Sequence, residues 1–331
     1  MKPRTVLFIS KGANAASTRY RARAYFPYLQ ESGWRPLHMT ASGSPIERLQ
    51  LLRECARADV VVVVRKTFSG LFLALLRGGA KRLVFDFDDA IFLRSDGAPS
   101  RLRMGRFARM AGKCDLVWAG NAYLAEHAGR FNSRVAIVPT SLDPAKYGIA
   151  VHKPDDSLDL VWIGSKSTRK YLVDIIPTLE QIALKIPSLK LKIVADFSLE
   201  SNRLPILPVR WDARTEAQEI ASSHIGIAPM PDNPWTRGKC ALKVLQYMAA
   251  GLPVVSSPAG SNAEIVEPGE NGFLAAGDEQ WENAILRLNA DSGLRTRMGE
   301  SGRKRVHAAF SQEATCRRMV ELLDSLCPSA P

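Results

Sequence analysis

The sequence predicts an α/β protein built from doubly wound parallel sheets, and three observations carry that prediction. Fully apolar or near-apolar runs of strand length, such as Val60–Val64 and Leu83–Phe87, alternate with segments of helical spacing. A polar stretch without periodicity at 149–157 interrupts this series, and a second series opens at Leu158–Ile163. Residues 238–260 read as a helix entering a buried strand through one tight turn. Leu242, Leu245, Met248 and Ala249 recur at helical spacing, Gly251 ends the helix, and Pro253 forbids its continuation.

The elements follow in order. Residues 5–10 make a first strand that runs into a loop at 11–18 containing Gly12. A helix spans 19–32 and stops at Gly33. Val60–Val64, Leu83–Phe87, 115–119 and 135–138 are further strands, with helical segments between them. The stretch 149–157 is the linker. Beyond it, Leu158–Ile163 ends at the turn residue Gly164, and 190–195, 224–229 and 251–256 continue the alternation. Gln312–Leu326 is a helix with apolar Met319, Val320, Leu322, Leu323 and Leu326. The expected domains are 1–150 and 151–311, followed by a terminal helical segment at 312–331. There is no repeat of solenoid period and no low-complexity tract.

Composition narrows the classes. A chain of 331 residues, 46% hydrophobic, suits two ordinary domains and excludes a disordered protein. Cys55, Cys114, Cys240, Cys316 and Cys327 are dispersed and lack metal-ligand spacing, as in a cytosolic protein with reduced thiols. The apolar run near the amino terminus covers only 5–10, too short for a signal peptide, and no run reaches the ~20 residues of a membrane span. The net charge of +12 is uneven. Residues 1–150 hold 24 Lys and Arg against 11 Asp and Glu, whereas 151–331 hold 21 against 22. The first half therefore calls for an anionic partner: a lipid surface, a phosphorylated ligand or a nucleic acid. Aromatics do not interleave with its basic residues, and no nucleic-acid module is visible, so nucleic acid is not the expected partner.

Several groups of residues carry candidate chemistry. Gly164, Ser165, Lys166, Arg169 and Lys170 lie between a strand and a helix. Such a turn presents backbone donors, and cations at a helix start oppose its dipole unless an anion binds there. The alternative is a solvated charge cluster. Asp86, Asp88 and Asp89 end an apolar strand. They read as a divalent-metal site, as carboxylates orienting a ligand hydroxyl, or as partners in a structural ion pair with an Arg. Period-two alternation sends Asp86 and Asp88 to one face and Phe85 and Phe87 to the other. Arg19, in a basic run at 17–23, is a candidate anion ligand or part of a solvated helix face. Residues 100–113 form a basic amphipathic helix fit for an anionic membrane or for solvent, weakened by Gly105. The five histidines show no metal spacing.

The run Lys243-Val-Leu-Gln246-Tyr247-Met-Ala-Ala-Gly251-Leu-Pro253-Val-Val resembles the donor-site segment of glycosyltransferase family 4, the group 1 glycosyltransferases. Gly260, Glu264-Ile-Val and Glu270-Asn-Gly272-Phe-Leu fit its continuation, and the resemblance is strongest from Trp162 to Ala275. It implies the GT-B fold: two Rossmann-like domains with parallel sheets facing across a cleft. The last helix of such proteins commonly crosses back onto the first domain. It also implies transfer of a sugar, with retention of configuration, from a nucleotide-diphosphate sugar, with no metal and no cofactor. The acceptor is a glycan or lipid-linked molecule in bacterial surface-polysaccharide assembly, and the location is cytoplasmic or peripheral on the inner membrane face.

Residue by residue, the resemblance implies that Gly12, Gly164, Lys166 and Lys170 stabilise the departing diphosphate. Ser165 stands where the family has an Arg, and Lys170 matches the family's Lys. Gln246 and Gly238 stand where the family has two glutamates. Gln246 can still hydrogen-bond ribose hydroxyls; Gly238 cannot replace a carboxylate. Lys239 is then expected near the sugar or phosphates, with Lys243 supporting the site. Asp86 and Asp88, with Arg19, are assigned to the acceptor, and Asp88, Asp89 and Lys170 to catalysis. Two rivals share the donor site: a nucleotide-sugar epimerase of GT-B shape, and a non-catalytic nucleotide-sugar-binding protein.

Overall fold

The computed structural model describes residues 3–41, 43–153 and 156–327. The chain divides into two compact units. The first comprises Met1–Ser141, Arg237–Cys240 and Gln312–Pro331, and the second Leu142–Thr236 and Ala241–Ser311. The linker read at 149–157 includes residues 154 and 155, which lie outside the described residues.

The first unit contains β1 (Arg4–Ser10), β2 (Trp34–Thr40), β3 (Val60–Val64), β4 (Leu83–Phe87), β5 (Leu116–Ala119) and β6 (Val135–Ile137). They form one parallel sheet in the order β2-β1-β3-β4-β5-β6. The chain direction across the sheet reverses between β1 and β3, so their carboxyl ends flank a switch point where α/β proteins bind ligands. Val60–Val64 is buried along its whole length, which is why it shows no alternation. The helix Gln312–Leu326 places Cys316, Met319, Leu323 and Leu326 in this unit's core with Val6, Phe8 and Trp34. Each fully buried Leu of this kind stabilises by roughly 1.5–3 kcal/mol.

The helix expected over 19–32 is broken. Ala16–Arg21 and Phe26–Glu31 are separate helices joined by a short tight turn at Arg23–Tyr25. Ala22 leaves the helical region at φ −135° and ψ −72°. Pro27 has no N–H to give the Arg23 carbonyl, so a continuous ladder cannot form. Gly33 does stop the second helix, at φ +80°.

The second unit contains β7 (Leu158–Ile163), β8 (Leu189–Ala195), β9 (Ile206–Arg210), β10 (Ile225–Ala228), β11 (Val254–Ser256) and β12 (Gly272–Leu274). They form a second parallel sheet in the order β12-β11-β10-β7-β8-β9. This is the Rossmann order, with its switch point between β7 and β10. The helix Leu242–Ala249 and the turn at Gly251, φ +75°, lie where the sequence places them. Tyr247 ties this helix to the switch point. Its ring lies on Gly226, its hydroxyl accepts the Ile163 N–H at 2.9 Å and faces the Ile227 carbonyl at 3.3 Å.

Among the described residues no helix is long and apolar enough to cross a membrane. The helix Arg101–Lys113 forms despite Gly105. Its Phe107 and Met110 are fully buried, and Phe107 packs on Phe85, Phe87 and Phe92. Most of the apolar face expected for a membrane thus serves the unit's own core, leaving Leu102 outside at 62% exposure.

Candidate functional site

In the second unit the site is built around Trp162, on β7. A Cβ at Gly164 would come within 2.3 Å of the Trp162 ring, so only glycine permits this turn. The Lys243 ammonium stands 4.2 Å above the centre of the same ring, a cation–π contact that joins helix Leu242–Ala249 to the turn. The Ser165 N–H donates to the Thr168 hydroxyl at 3.3 Å, and the Thr168 N–H to the Ser165 carbonyl at 2.9 Å. This starts the helix Arg169–Lys185. Ser165, Lys166, Arg169 and Lys170 are exposed. The structure thus brings Gly164, Lys166, Lys170 and Lys243 to one neighbourhood at the carboxyl end of β7, a basic turn suited to an anion.

Gln246 belongs to a buried network. Its amide nitrogen donates to the Tyr147 hydroxyl at 2.9 Å and to Glu216 at 3.1 Å. Glu216 also accepts from Tyr147 at 2.6 Å, from the Trp211 indole at 2.7 Å and from Lys146 at 3.1 Å. Burial alone would raise the Glu216 carboxyl. The hydrogen bonds from Tyr147 and Trp211 and the Lys146 charge outweigh it and hold the group below the ordinary carboxylate value. The donor order follows. An ionised Glu216 only accepts, so Tyr147 gives it its single proton and must accept from Gln246. Gln246 therefore turns its NH2 inward, and its amide oxygen is the atom outside the network.

In the first unit the site lies at the ends of β3 and β4. Asp86 is 1% exposed, and both its oxygens face Arg21, one from Nη2 and one from Nε at 3.1 Å. Arg21 also donates to the Val138 and Pro139 carbonyls at 2.8 and 3.0 Å. Burial opposes charge on Arg21, but the facing Asp86 carboxylate prevails and holds the guanidinium protonated well above its ordinary value. Asp86 thus occupies the structural ion pair weighed for it in the sequence, and burial withdraws it from an acceptor. Phe85 and Phe87 stack on the opposite face at 5.2 Å between ring centres, as alternation requires.

Asp88 and Asp89 are held by Arg65, whose Nε lies 3.2 Å from Asp88 and whose Nη2 lies 2.7 Å from Asp89. Arg65 follows β3 at φ +51°, a left-handed conformation rare for a non-glycine residue. Lys239 completes the group, 3.0 and 3.2 Å from the two Asp89 oxygens. Lys239, expected among the donor ligands, is therefore an ion-pair partner within the first unit. Each carboxylate of the Asp86–Asp89 run faces a protein cation. Gly238 has no room to be anything else, since a Cβ there would lie 2.8 Å from the Ala90 nitrogen and Cβ. Beside Gly12, by contrast, a Cβ would meet nothing within 4 Å, and Arg19 is exposed, 5.8 Å from the Tyr20 ring.

Arg65, Glu216 and Tyr147 were not singled out from the sequence. Arg65 carried a usable signal, a cation directly after a fully apolar strand. Glu216 and Tyr147 carried none, because their partners are 69 residues apart in sequence.

Residues 157–291 match the family described as Glycosyl transferases group 1. The lipopolysaccharide core biosynthesis glycosyltransferase LpsE of Rhizobium meliloti is 37% identical over 84 residues, 25% of this chain and 25% of that protein. The chain thus spans about a quarter of the length of this curated relative. Sucrose-phosphate synthase from Thermosynechococcus elongatus superposes with a TM-score of 0.74 at 17% identity, covering 98% of this chain and 99% of the other. Anabaena HepE in complex with UDP superposes with a TM-score of 0.73 at 16% identity, covering 97% and 100%. At such identities the structural likeness speaks for the fold, while the matched segment contains Gly164, Lys170, Lys243 and Gln246. The resemblance to the group 1 glycosyltransferases is borne out over residues 157–291, on a chain of GT-B fold.

Proposed function

We propose that this chain is a retaining glycosyltransferase of family 4 that takes a nucleotide-diphosphate sugar as donor, without a metal or other cofactor. The observation that carries the reading is the basic turn Gly164–Lys170 at the switch point of the second sheet, seated on Trp162 and lying inside the matched segment. In this reading Lys166, Lys170 and the backbone donors of the turn neutralise the leaving diphosphate, and Lys243 holds Trp162 beneath it. The Gln246 amide oxygen accepts from a ribose hydroxyl. Gly12 leaves open space for a phosphate or an acceptor. Asp88, set by Arg65, receives the acceptor hydroxyl, and Arg19 an acceptor anion. The acceptor is a glycan or a lipid-linked sugar of a bacterial surface polysaccharide, and the enzyme works on the cytoplasmic face. The acceptor oxygen forms its bond to the anomeric carbon as the bond to the phosphate oxygen breaks, and that phosphate oxygen takes the acceptor's proton. HepE and LpsE, by their names and bound ligand, support a UDP-type donor and an envelope glycan.

Calorimetric titration with UDP, GDP, dTDP and CMP, with and without EDTA, tests this. One diphosphate is expected to bind, insensitive to EDTA, and Lys170→Ala is expected to weaken it at least tenfold. Absence of binding, or Lys170→Ala with full affinity and turnover, overturns the reading. The steric exclusion of a carboxylate at Gly238 favours a second reading, binding of a nucleotide sugar without turnover. Product analysis with candidate acceptors separates the two, and conversion of the donor alone would point to an epimerase.

A further inference from the structure

The second unit has a second basic concavity, at the end of its sheet opposite the Gly164 turn. It has a volume of about 390 Å³ and is lined by Lys153, His224, Ser292, Arg295, Thr296 and Arg303 together with the backbone at Gly251 and Pro253. His224 immediately precedes β10 and Pro253 immediately precedes β11, so the cavity opens at the amino ends of these strands. Gly164 follows the carboxyl end of β7, and a six-residue strand separates the two ends by roughly 20 Å.

Three cations converge there from two places in the chain. Lys153 comes from the segment before β7, while Arg295 and Arg303 lie on the helix Ser292–Arg305. Among the described lining residues, Glu300 is the sole carboxylate against these three cations. Hydrogen-bonding capacity is also left over. The Arg303 guanidinium lies against Gly251 and donates from Nη2 to the Ala250 carbonyl at 3.2 Å, yet its Nε is buried with no partner. A buried guanidinium nitrogen without an acceptor is costly. His224 lines the cavity and accepts the Asp159 N–H on Nδ1 at 3.0 Å. The first turn of the helix Ser292–Arg305 adds its dipole and the Ser292 hydroxyl. Asp291 caps that helix through the Leu294 N–H and faces Arg297, 3.5 Å away, and its charge also acts on Arg295.

We propose that this cavity is an anion site for a soluble phosphorylated small molecule carrying a phosphate dianion or diphosphate, separate from the donor turn. A dianion matches the surplus of cations over the single lining carboxylate and supplies an acceptor oxygen for the unpartnered Arg303 Nε and for the Lys153 ammonium. The cavity holds more than a bare phosphate and suits a phosphate ester such as a sugar phosphate. The Lys153 amine is pushed down to about 8 by burial and then by the Arg295 and Arg303 charges, which an anion would offset.

The test uses inorganic pyrophosphate, titrated calorimetrically at constant ionic strength into the whole chain carrying Lys166→Gln and Lys170→Gln, which disarms the donor turn. Binding is expected to persist in this protein, and adding Lys153→Gln is expected to weaken it at least tenfold. Lys153 lies outside every helix and strand, so that variant keeps the fold; a thermal melt of each protein checks it. Loss of all pyrophosphate binding with the turn substitutions, or unchanged affinity on adding Lys153→Gln, overturns the proposal. So does retention on phosphatidic acid vesicles without any response to soluble pyrophosphate or glucose 1-phosphate. Because UDP binding is read in the unsubstituted protein, failure of the donor assignment is seen separately.

Discussion

The two units each bury a carboxylate near a sheet end, and they satisfy it in opposite ways. In the first unit Asp86 is matched by one full charge, the Arg21 guanidinium, which is itself fixed by two backbone carbonyls. In the second, Glu216 is matched chiefly by neutral donors, Tyr147, Trp211 and Gln246, with Lys146 at the partly exposed side. A charge pair is all-or-none, because removing one member strands the other in a medium that cannot solvate it. A carboxylate shared among several donors loses them one at a time. The first arrangement suits a rigid support beneath the neighbouring Asp88 and Asp89. The second suits the orientation of a single amide, that of Gln246.

The comparison is broken most directly by Arg21→Met. It leaves Asp86 buried without its partner and is expected to cost about 3–5 kcal/mol, a fall of roughly 10 °C in melting temperature. A near-wild-type melt would show that the pair is not the all-or-none contact described. Next is Gly238→Glu, which restores the family's residue type yet drives a side chain into Ala90. A loss of about 1–3 kcal/mol is expected, with sugar transfer reduced, measured by denaturant unfolding and by product formation. A gain in turnover would count against the steric account.

Glu216→Gln sharpens the other side. A loss of about 1–2 kcal/mol is expected, less than for Arg21→Met, because the neutral donors keep some of their contacts. The acid dependence follows from the depressed folded-state carboxyl. Its stabilisation is complete above the ordinary glutamate value of about 4.3 and is lost as the pH falls through the lower folded value. The stability difference between wild type and Glu216→Gln should therefore shrink below about pH 4, which urea titrations from pH 3 to 7 would reveal. The smallest effect is that of Arg317→Ala. It removes an exposed pair with Glu313, both side chains 70% accessible, and should change stability by less than ~0.5 kcal/mol in the same melts.

The alternation of apolar runs was enough to locate nine of the twelve strands, all but β2, β9 and β12. Those three are sheet edges. β2 contains Pro36 and β9 contains Pro208, and an edge strand accepts proline because one side of its backbone needs no partner. β12 is three residues long, too short for any period to register. An edge strand also has one neighbour instead of two, so its side chains need not be continuously apolar and the run that betrays a central strand is absent. The candidate site divides in the same way. The basic turn at Gly164–Lys170 and the segment from Lys243 to Val255 are local patterns and were readable. Lys239 was read as a donor ligand because it adjoins Gly238, and the pairing of its ammonium with Asp89, 150 residues away, had no local signal.

By itself the sequence determined the two parallel α/β sheets, the helix-to-strand turn at Gly251 and the group 1 glycosyltransferase resemblance of Trp162–Ala275, because each rests on periodicity or on contiguous residues. Only the tertiary structure decided which charges face one another. It gave Asp86 to Arg21, Asp88 and Asp89 to Arg65 and Lys239, and Gln246 to Glu216. It also gathered Lys153, Arg295 and Arg303 around one cavity. Those partners are tens to more than a hundred residues apart, and no local rule links them. Burial makes an unmatched charge costly wherever it lies, so the fold selects partners by distance in space and leaves no trace of the choice along the chain.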